Sequence, residues 1–119
     1  MAYTEPYDAI DEQTRNISRA ITSLREELEA IDWYNQRVNT TTDQELKDIM
    51  AHNRDEEIEH AVMAFEWLRR NMAGFDEDMK TYLFSEGSLL EVEEQATGSE
   101  GTSTPAGPKS GMTIGNLKN

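Results

Sequence analysis

The sequence predicts an all-α protein: an antiparallel helical hairpin with a short third helix, two copies of which dimerise into a four-helix bundle. Three observations lead there. Apolar residues recur at spacings of three and four along two long stretches. A short polar interruption, "NTTTD", separates those stretches. A single Glu-x-x-His motif, Glu57 and His60, sits where the spacing of the second stretch otherwise calls for leucine.

The first helix is expected from about Ile10 to Val38, because Ile17, Ile21, Leu24, Leu28, Ile31 and Val38 follow the helical period. After the interruption, Thr42-x-x-Glu45 reads as a capping box, in which the threonine hydroxyl and the glutamate carboxylate satisfy orphan amide donors reciprocally. Two helices joined by so short a turn lie antiparallel. The second helix is expected to run to about Asn71 and to stop before Gly74. A third piece, "FDEDMKTYLF", ends at "SEG", and "SLLEVEEQ" adds one or two turns. Residues 1–95 therefore form one helical domain. From 96 to 110 the composition turns to "ATGSEGTSTPAGPKS", which has almost nothing to bury and reads as a flexible linker. In the final segment, 111–119, Met112, Ile114 and Leu117 restore apolar character.

Composition narrows the chemistry. A chain of 119 residues, 36% hydrophobic, suits one small domain rather than two independent cores. Asp and Glu number 24 against 11 Lys and Arg, a formal charge of −13, so the surface repels nucleic acid and anionic lipid and attracts cations. The absence of cysteine excludes disulfides, thiolate metal sites and cysteine nucleophiles, leaving oxygen and imidazole as metal donors. Neither a leader segment nor a stretch approaching the roughly 18 apolar residues of a membrane span is present, so an intracellular soluble protein is expected.

Advancing about 100° per residue, Leu46, Met50, Ala61, Ala64 and Leu68 all fall within about 40° of Glu57. Glu57 thus sits mid-stripe, and His60, one turn on, shares its face. Burying an unpaired carboxylate costs several kcal/mol, so a cation is expected to meet it. On the first helix Glu27 borders the apolar stripe, about 60° from its centre, with Tyr34 two turns along. A Glu on one helix and a Glu-x-x-His on its neighbour make half of a di-iron carboxylate site, which needs two of each. The only other histidine, His52, has Ile49 three residues before it, so the missing half must come from a second copy. Carboxylates and imidazoles suit iron as Fe2+ and Fe3+. Glu57 is then the bridging ligand, Glu27 and His60 are terminal ligands, and Tyr34 is a hydrogen-bond donor orienting Glu27 or the bound oxygen. The bland reading pairs Glu57 with Arg25 or Arg54 and His60 with a backbone carbonyl.

Outside the core, Glu26, Glu29 and Trp33 share the outer face of the first helix. They read either as a staging site that gathers ferrous ions or as solvated acids beside a tryptophan that packs on another subunit. His52, Glu56 and Glu59 form a similar cluster on the second helix, which reads better as solvated charge.

"EELEAIDWYNQRV", "AHNRDEEIEHAVMAFEWLRR" and "TYLFSEG" resemble the encapsulated ferritins, the ferritin-like cargo of encapsulin nanocompartments. The resemblance covers about residues 10–95. It implies a ferroxidase centre between two protomers, dimers assembled into an open ten-subunit ring, and metal ligation by Glu27, Glu57 and His60 with Tyr34 nearby. It also implies an entry site at Glu26, Glu29 and Trp33. The segment "MTIGNLKN" is similar to the family's targeting peptide, with Ile114 and Leu117 around Gly115 as pocket anchors for an encapsulin shell, which places the protein in the cytoplasm inside that shell. The expected activity is oxidation of Fe2+ by dioxygen, the shell storing the mineral that an open ring cannot enclose. The competing expectations are a rubrerythrin-like or manganese-dependent peroxide scavenger and a non-catalytic acidic helical adaptor.

Overall fold

Two long helices dominate the structure, a computed structural model that describes residues 3–103, with side chains to residue 98. Among the described residues all regular structure is helical. Helix α1 spans Glu12–Thr40 and α2 spans Gln44–Asn71. Neither contains a proline or a glycine, so nothing in their interiors breaks the hydrogen-bond ladder. Asp11 starts α1 by accepting the Thr14 amide at 2.8 Å. At the other end Thr41 is extended, and its amide closes on the Arg37 carbonyl at 2.9 Å.

The start of α2 differs from the expected capping box. Asp43, rather than Thr42, is the cap, accepting the Leu46 amide at 2.9 Å. This shift of one residue places Leu46 at the third helical position, so Glu45 cannot return the bond. A carboxylate at that place also complements the helix dipole, as a hydroxyl does not. The helix ends at Asn71, as the sequence predicts, with Met72 extended behind it. It thus stops before Gly74, as expected, and that glycine lies inside α3, Ala73–Tyr82.

The chain divides into two compact units, the first ending at Phe75 and the second beginning at Asp76. Within the first, α1 and α2 pack as an antiparallel pair. Hydrogen bonds across the pair join early residues to late ones: Gln13 Nε2 to Asn71 Oδ1 at 3.3 Å, and Arg54 Nη1 to Asn35 Oδ1 at 3.0 Å. A single 3-10 turn, Tyr7–Ala9, precedes α1 and is pinned to it by Arg15. The Arg15 guanidinium lies 3.7 Å over the Tyr7 ring and donates to the Tyr7 carbonyl at 2.6 Å.

Only Ala61 and Leu68 are buried hydrophobics among the described residues. Leu28, Ile49, Ile58, Val62, Met63 and Phe65 remain exposed on the same two helices. A hairpin covers only the inner edge of each apolar stripe, so the rest of these side chains stays at the surface.

In the second unit α3 finishes with Phe84 in the left-handed region, φ 63°, its side chain wholly exposed. Glycine ordinarily takes that terminal position, since a Cβ there meets the following carbonyl. Gly87, φ 87°, makes the turn into α4, Leu89–Ser103. This helix is longer than the one or two turns expected, and it continues past Gln95 into the segment read as linker. A composition poor in buriable residues limits packing; it does not forbid local helix, where a weak former such as glycine costs only about 1 kcal/mol. The predicted targeting segment, 111–119, lies outside the described residues. No described helix is long and apolar enough to cross a membrane.

Candidate metal centre

The antiparallel pairing brings the middle of α1 against the middle of α2, and there Glu27, Glu57 and His60 meet. Each offers one ligand atom, and those atoms all lie within 4.8 Å of one another. The His60 Nδ1 atom stands 3.3 Å from Glu57 Oε1 and 3.8 Å from Glu27 Oε1. Glu57 and His60 are one helical turn apart, so their convergence is local; Glu27 arrives only through the packing of α1 on α2. The two carboxylates are largely covered, at 27% and 26% side-chain exposure, while the imidazole is 43% exposed.

Charge in the cluster is arranged around one shared hydrogen bond. That bond to Glu57, followed by burial and the Glu57 charge, holds the Glu27 carboxyl above the ordinary carboxylate range. The same bond lowers Glu57, and His60 adds to the lowering. Two carboxyls this close resist ionising together, which splits their proton affinities in opposite directions.

Among the described residues no guanidinium joins them. Arg54 is turned instead to Asn35 and to Asp55, its Nε donating to Asp55 Oδ1 at 3.1 Å. Arg25 forms no ion pair or hydrogen bond to either glutamate among the described residues. Among the described residues the bland pairing of Glu57 with an arginine is therefore absent, and so is a backbone carbonyl partner for His60.

The donor set fits a divalent transition ion of borderline or hard character: two carboxylate oxygens and one imidazole nitrogen. Oxygen and nitrogen ligands on opposite sides of one small ion stand roughly 4 Å apart. The imidazole lies within that span of both carboxylates, at 3.3 and 3.8 Å. Three donors leave coordination positions unfilled, and the chain supplies no further carboxylate or imidazole to the cluster among its described residues.

Residues 2–86 match the family model described as EncFtn-like. The chain belongs to the EncFtn-like family. It is 55% identical over 98 residues to an encapsulated ferritin-like protein of Rhodospirillum rubrum, covering 82% of this chain and 70% of that one. It is 51% identical to a ferritin-like protein of Thermotoga maritima, covering 81% of this chain and 84% of the relative. An encapsulin nanocompartment cargo protein, EncC, of Myxococcus xanthus is 30% identical over 99% of both chains. Among solved structures, a Nitrosomonas europaea protein superposes with a TM-score of 0.73 at 55% identity, over 75% of this chain and 98% of that one. The all-α, ferritin-like helical fold expected from the sequence is thus the fold of this EncFtn-like chain.

The remaining expected site residues of this EncFtn-like chain lie outside the cluster. Tyr34 is two turns from Glu27, about 10 Å along the axis. Its ring faces the Arg37 guanidinium at 5.5 Å, and it makes no hydrogen bond to Glu27 among the described residues. Trp33 is half-exposed and borders an open groove of about 420 Å³ with Gln36, Arg37 and Thr40. Glu26 is exposed and reaches the cluster only through its charge, which helps raise Glu27; Glu29 is exposed as well. On α2, His52 Nε2 lies 3.9 Å from Glu56 Oε2, and Glu59 stands apart from that pair. Sequence reasoning weighed Arg54 as a partner for Glu57 and passed over Asn35, which takes it. The register alone does not signal it: in an antiparallel pair that aligns Glu27 with Glu57, Asn35 falls level with residue 49, and Arg54 meets it only because its long side chain reaches along the pair.

Proposed function

We propose that this chain is a ferroxidase that oxidises Fe2+ with dioxygen at a di-iron centre completed by a second copy of itself. The observation that carries the reading is the Glu27–Glu57–His60 cluster, a metal-type donor set with two carboxylates, no guanidinium and too few ligands to finish a site alone. It is half of the arrangement that a four-helix di-iron core requires. The exposed apolar residues on α1 and α2 give a second copy something to cover.

Iron is substrate in this scheme, giving up one electron per ion to dioxygen. The chain's own residues do the rest. Glu57 would hold the ions as the bridging ligand and Glu27 and His60 as the outer ones, and the Glu27 carboxyl would give up its proton on binding. Hard oxygen donors favour the ferric product. Tyr34 is proposed as a donor near the assembled site, and Glu26, Glu29 and Trp33 as the face over which ferrous ions enter. A ten-subunit ring of such dimers would release ferric iron to a surrounding shell.

Similarity to a nanocompartment cargo protein along nearly the whole of both chains, tail included, supports a targeting role for residues 111–119. Short extended segments bind by filling shallow pockets with alternate side chains, and many tails on one assembly add avidity. The encapsulin shell is the partner proposed for them.

The test is direct. Full-length chain mixed aerobically with ferrous iron should bind about two irons per dimer, the number a di-iron site implies, and should develop ferric absorbance. Glu57→Ala and His60→Ala should each abolish that signal while circular dichroism stays helical. Full oxidation by either variant ends the reading.

A further inference from the structure

Arg54 precedes Glu57 by one helical turn, a spacing that brings the Cβ atoms to about 5–6 Å and ordinarily lets opposite charges pair. A guanidinium on Glu57 would hold a cation's place with a cation of the protein's own. The structure sends it elsewhere. Arg54 Nη1 reaches across to α1 and donates to Asn35 Oδ1 at 3.0 Å, while Nε donates to Asp55 Oδ1 at 3.1 Å. The Arg54 side chain is 26% exposed, so it is partly covered rather than free in water.

We propose that Asn35 is a positioning residue that parks the Arg54 guanidinium on α1 and so keeps it out of the Glu27–Glu57–His60 cluster. The inference rests on the metal-binding reading of that cluster. Asp55 is largely exposed and neighbours Arg54 on the same helix, so it restrains one edge of the guanidinium and does not bind it to α1. Asn35 supplies that second anchor. A neutral amide suits this role, because its carbonyl accepts the bond and it adds no third carboxylate to compete for the incoming metal. Once the acceptor is gone, the freed Nη edge has Glu57 within reach and becomes an internal competitor for the site.

The experiment titrates Co2+ into the assembled full-length chain without dioxygen, by calorimetry. Asn35→Ala should weaken Co2+ binding roughly fivefold, the scale of a partly screened ion pair that must be displaced. Adding Arg54→Gln to Asn35→Ala should return the affinity to within about twofold of wild type, because the competitor is then absent. In aerobic assays with ferrous iron, Asn35→Ala should raise KM by the same factor and leave kcat in place. A purely structural latch predicts the opposite for the double variant, which would bind as poorly as Asn35→Ala or worse. That result, or unchanged binding by Asn35→Ala, overturns the proposal. If Asn35→Ala loses its helical signal, Asn35→Leu keeps the volume, removes the acceptor and is read the same way. A wild-type chain that takes up no Co2+ defeats the metal-site reading itself; wild-type uptake with an unaffected Asn35 variant defeats only this inference.

Discussion

Glu27 on α1 and Glu57 on α2 share a single hydrogen bond that moves their two carboxyls in opposite directions, Glu27 upward and Glu57 downward. The Glu27 proton is therefore held more tightly, and the Glu57 proton less tightly, than on an ordinary carboxyl.

The raised Glu27 carboxyl has a stability consequence. The folded chain binds the Glu27 proton more tightly than the unfolded chain, so stability from this group is lost as pH rises through its elevated value. Glu57 acts the other way: its contribution is present above the ordinary carboxylate range and lost as pH falls through its lowered value. Glu27→Gln keeps a donor toward Glu57 and removes the ionisation penalty. Metal-free Glu27→Gln should therefore melt a few degrees higher than wild type at neutral pH, while oxidising iron at least about a hundredfold more slowly. A lowered melting temperature would show that the pair carries no such penalty.

Cation uptake should release protons. Because Glu27 holds a proton over a range where a free carboxylate does not, binding must expel it, and affinity should fall as pH drops through that range. Co2+ titrations in buffers of differing ionisation enthalpy measure the protons released. Release should be largest just above the ordinary carboxylate range, where the raised Glu27 still holds its proton, and should shrink in Glu27→Gln. Equal release by both would place the proton elsewhere.

The corrected cap at α2 is testable by a pair of substitutions. Asp43→Ala removes the side chain that accepts the Leu46 amide and should cost about 1 kcal/mol in urea unfolding. Thr42→Ala should cost a few tenths at most, since its hydroxyl caps nothing among the described residues. Equal losses would restore the reciprocal box.

On the outer face of α2, Glu66 accepts from Arg69 Nε at 2.7 Å, Arg69 Nη2 at 2.8 Å and Arg70 Nε at 2.8 Å. Arg69 first and Arg70 second depress its carboxyl to about 2. The resulting stability is present above the ordinary carboxylate range and disappears as pH falls toward that value. Glu66→Gln should therefore be less stable than wild type at neutral pH, with the gap closing on acidification. A gap that persists in acid would assign the effect to packing.

How far the sequence reached can be read from particular residues. The helical period located α1 and α2 because amphipathic spacing is a local property, fixed by which residues follow one another. Glu57 and His60 were legible together for the same reason, one turn separating them on one helix. The cap was misplaced by one residue because Thr42 and Asp43 are both good caps and the pattern alone does not weigh a hydroxyl against a carboxylate. The length of α4 was underestimated because composition reports what a segment can bury, not which backbone conformation it takes.

The sequence by itself determined the helices, the acidic surface, the cysteine-free donor chemistry and the pairing of Glu57 with His60, all of which depend on neighbours along the chain. Only the tertiary structure decided that Glu27 meets them and that Arg54 turns to Asn35 instead of Glu57. Those outcomes depend on the axial register and rotation of α1 against α2, which are set by the packing of both surfaces at once. A shift of one residue turns a helix by about 100°, so no property of either helix alone could fix which of its side chains face the other.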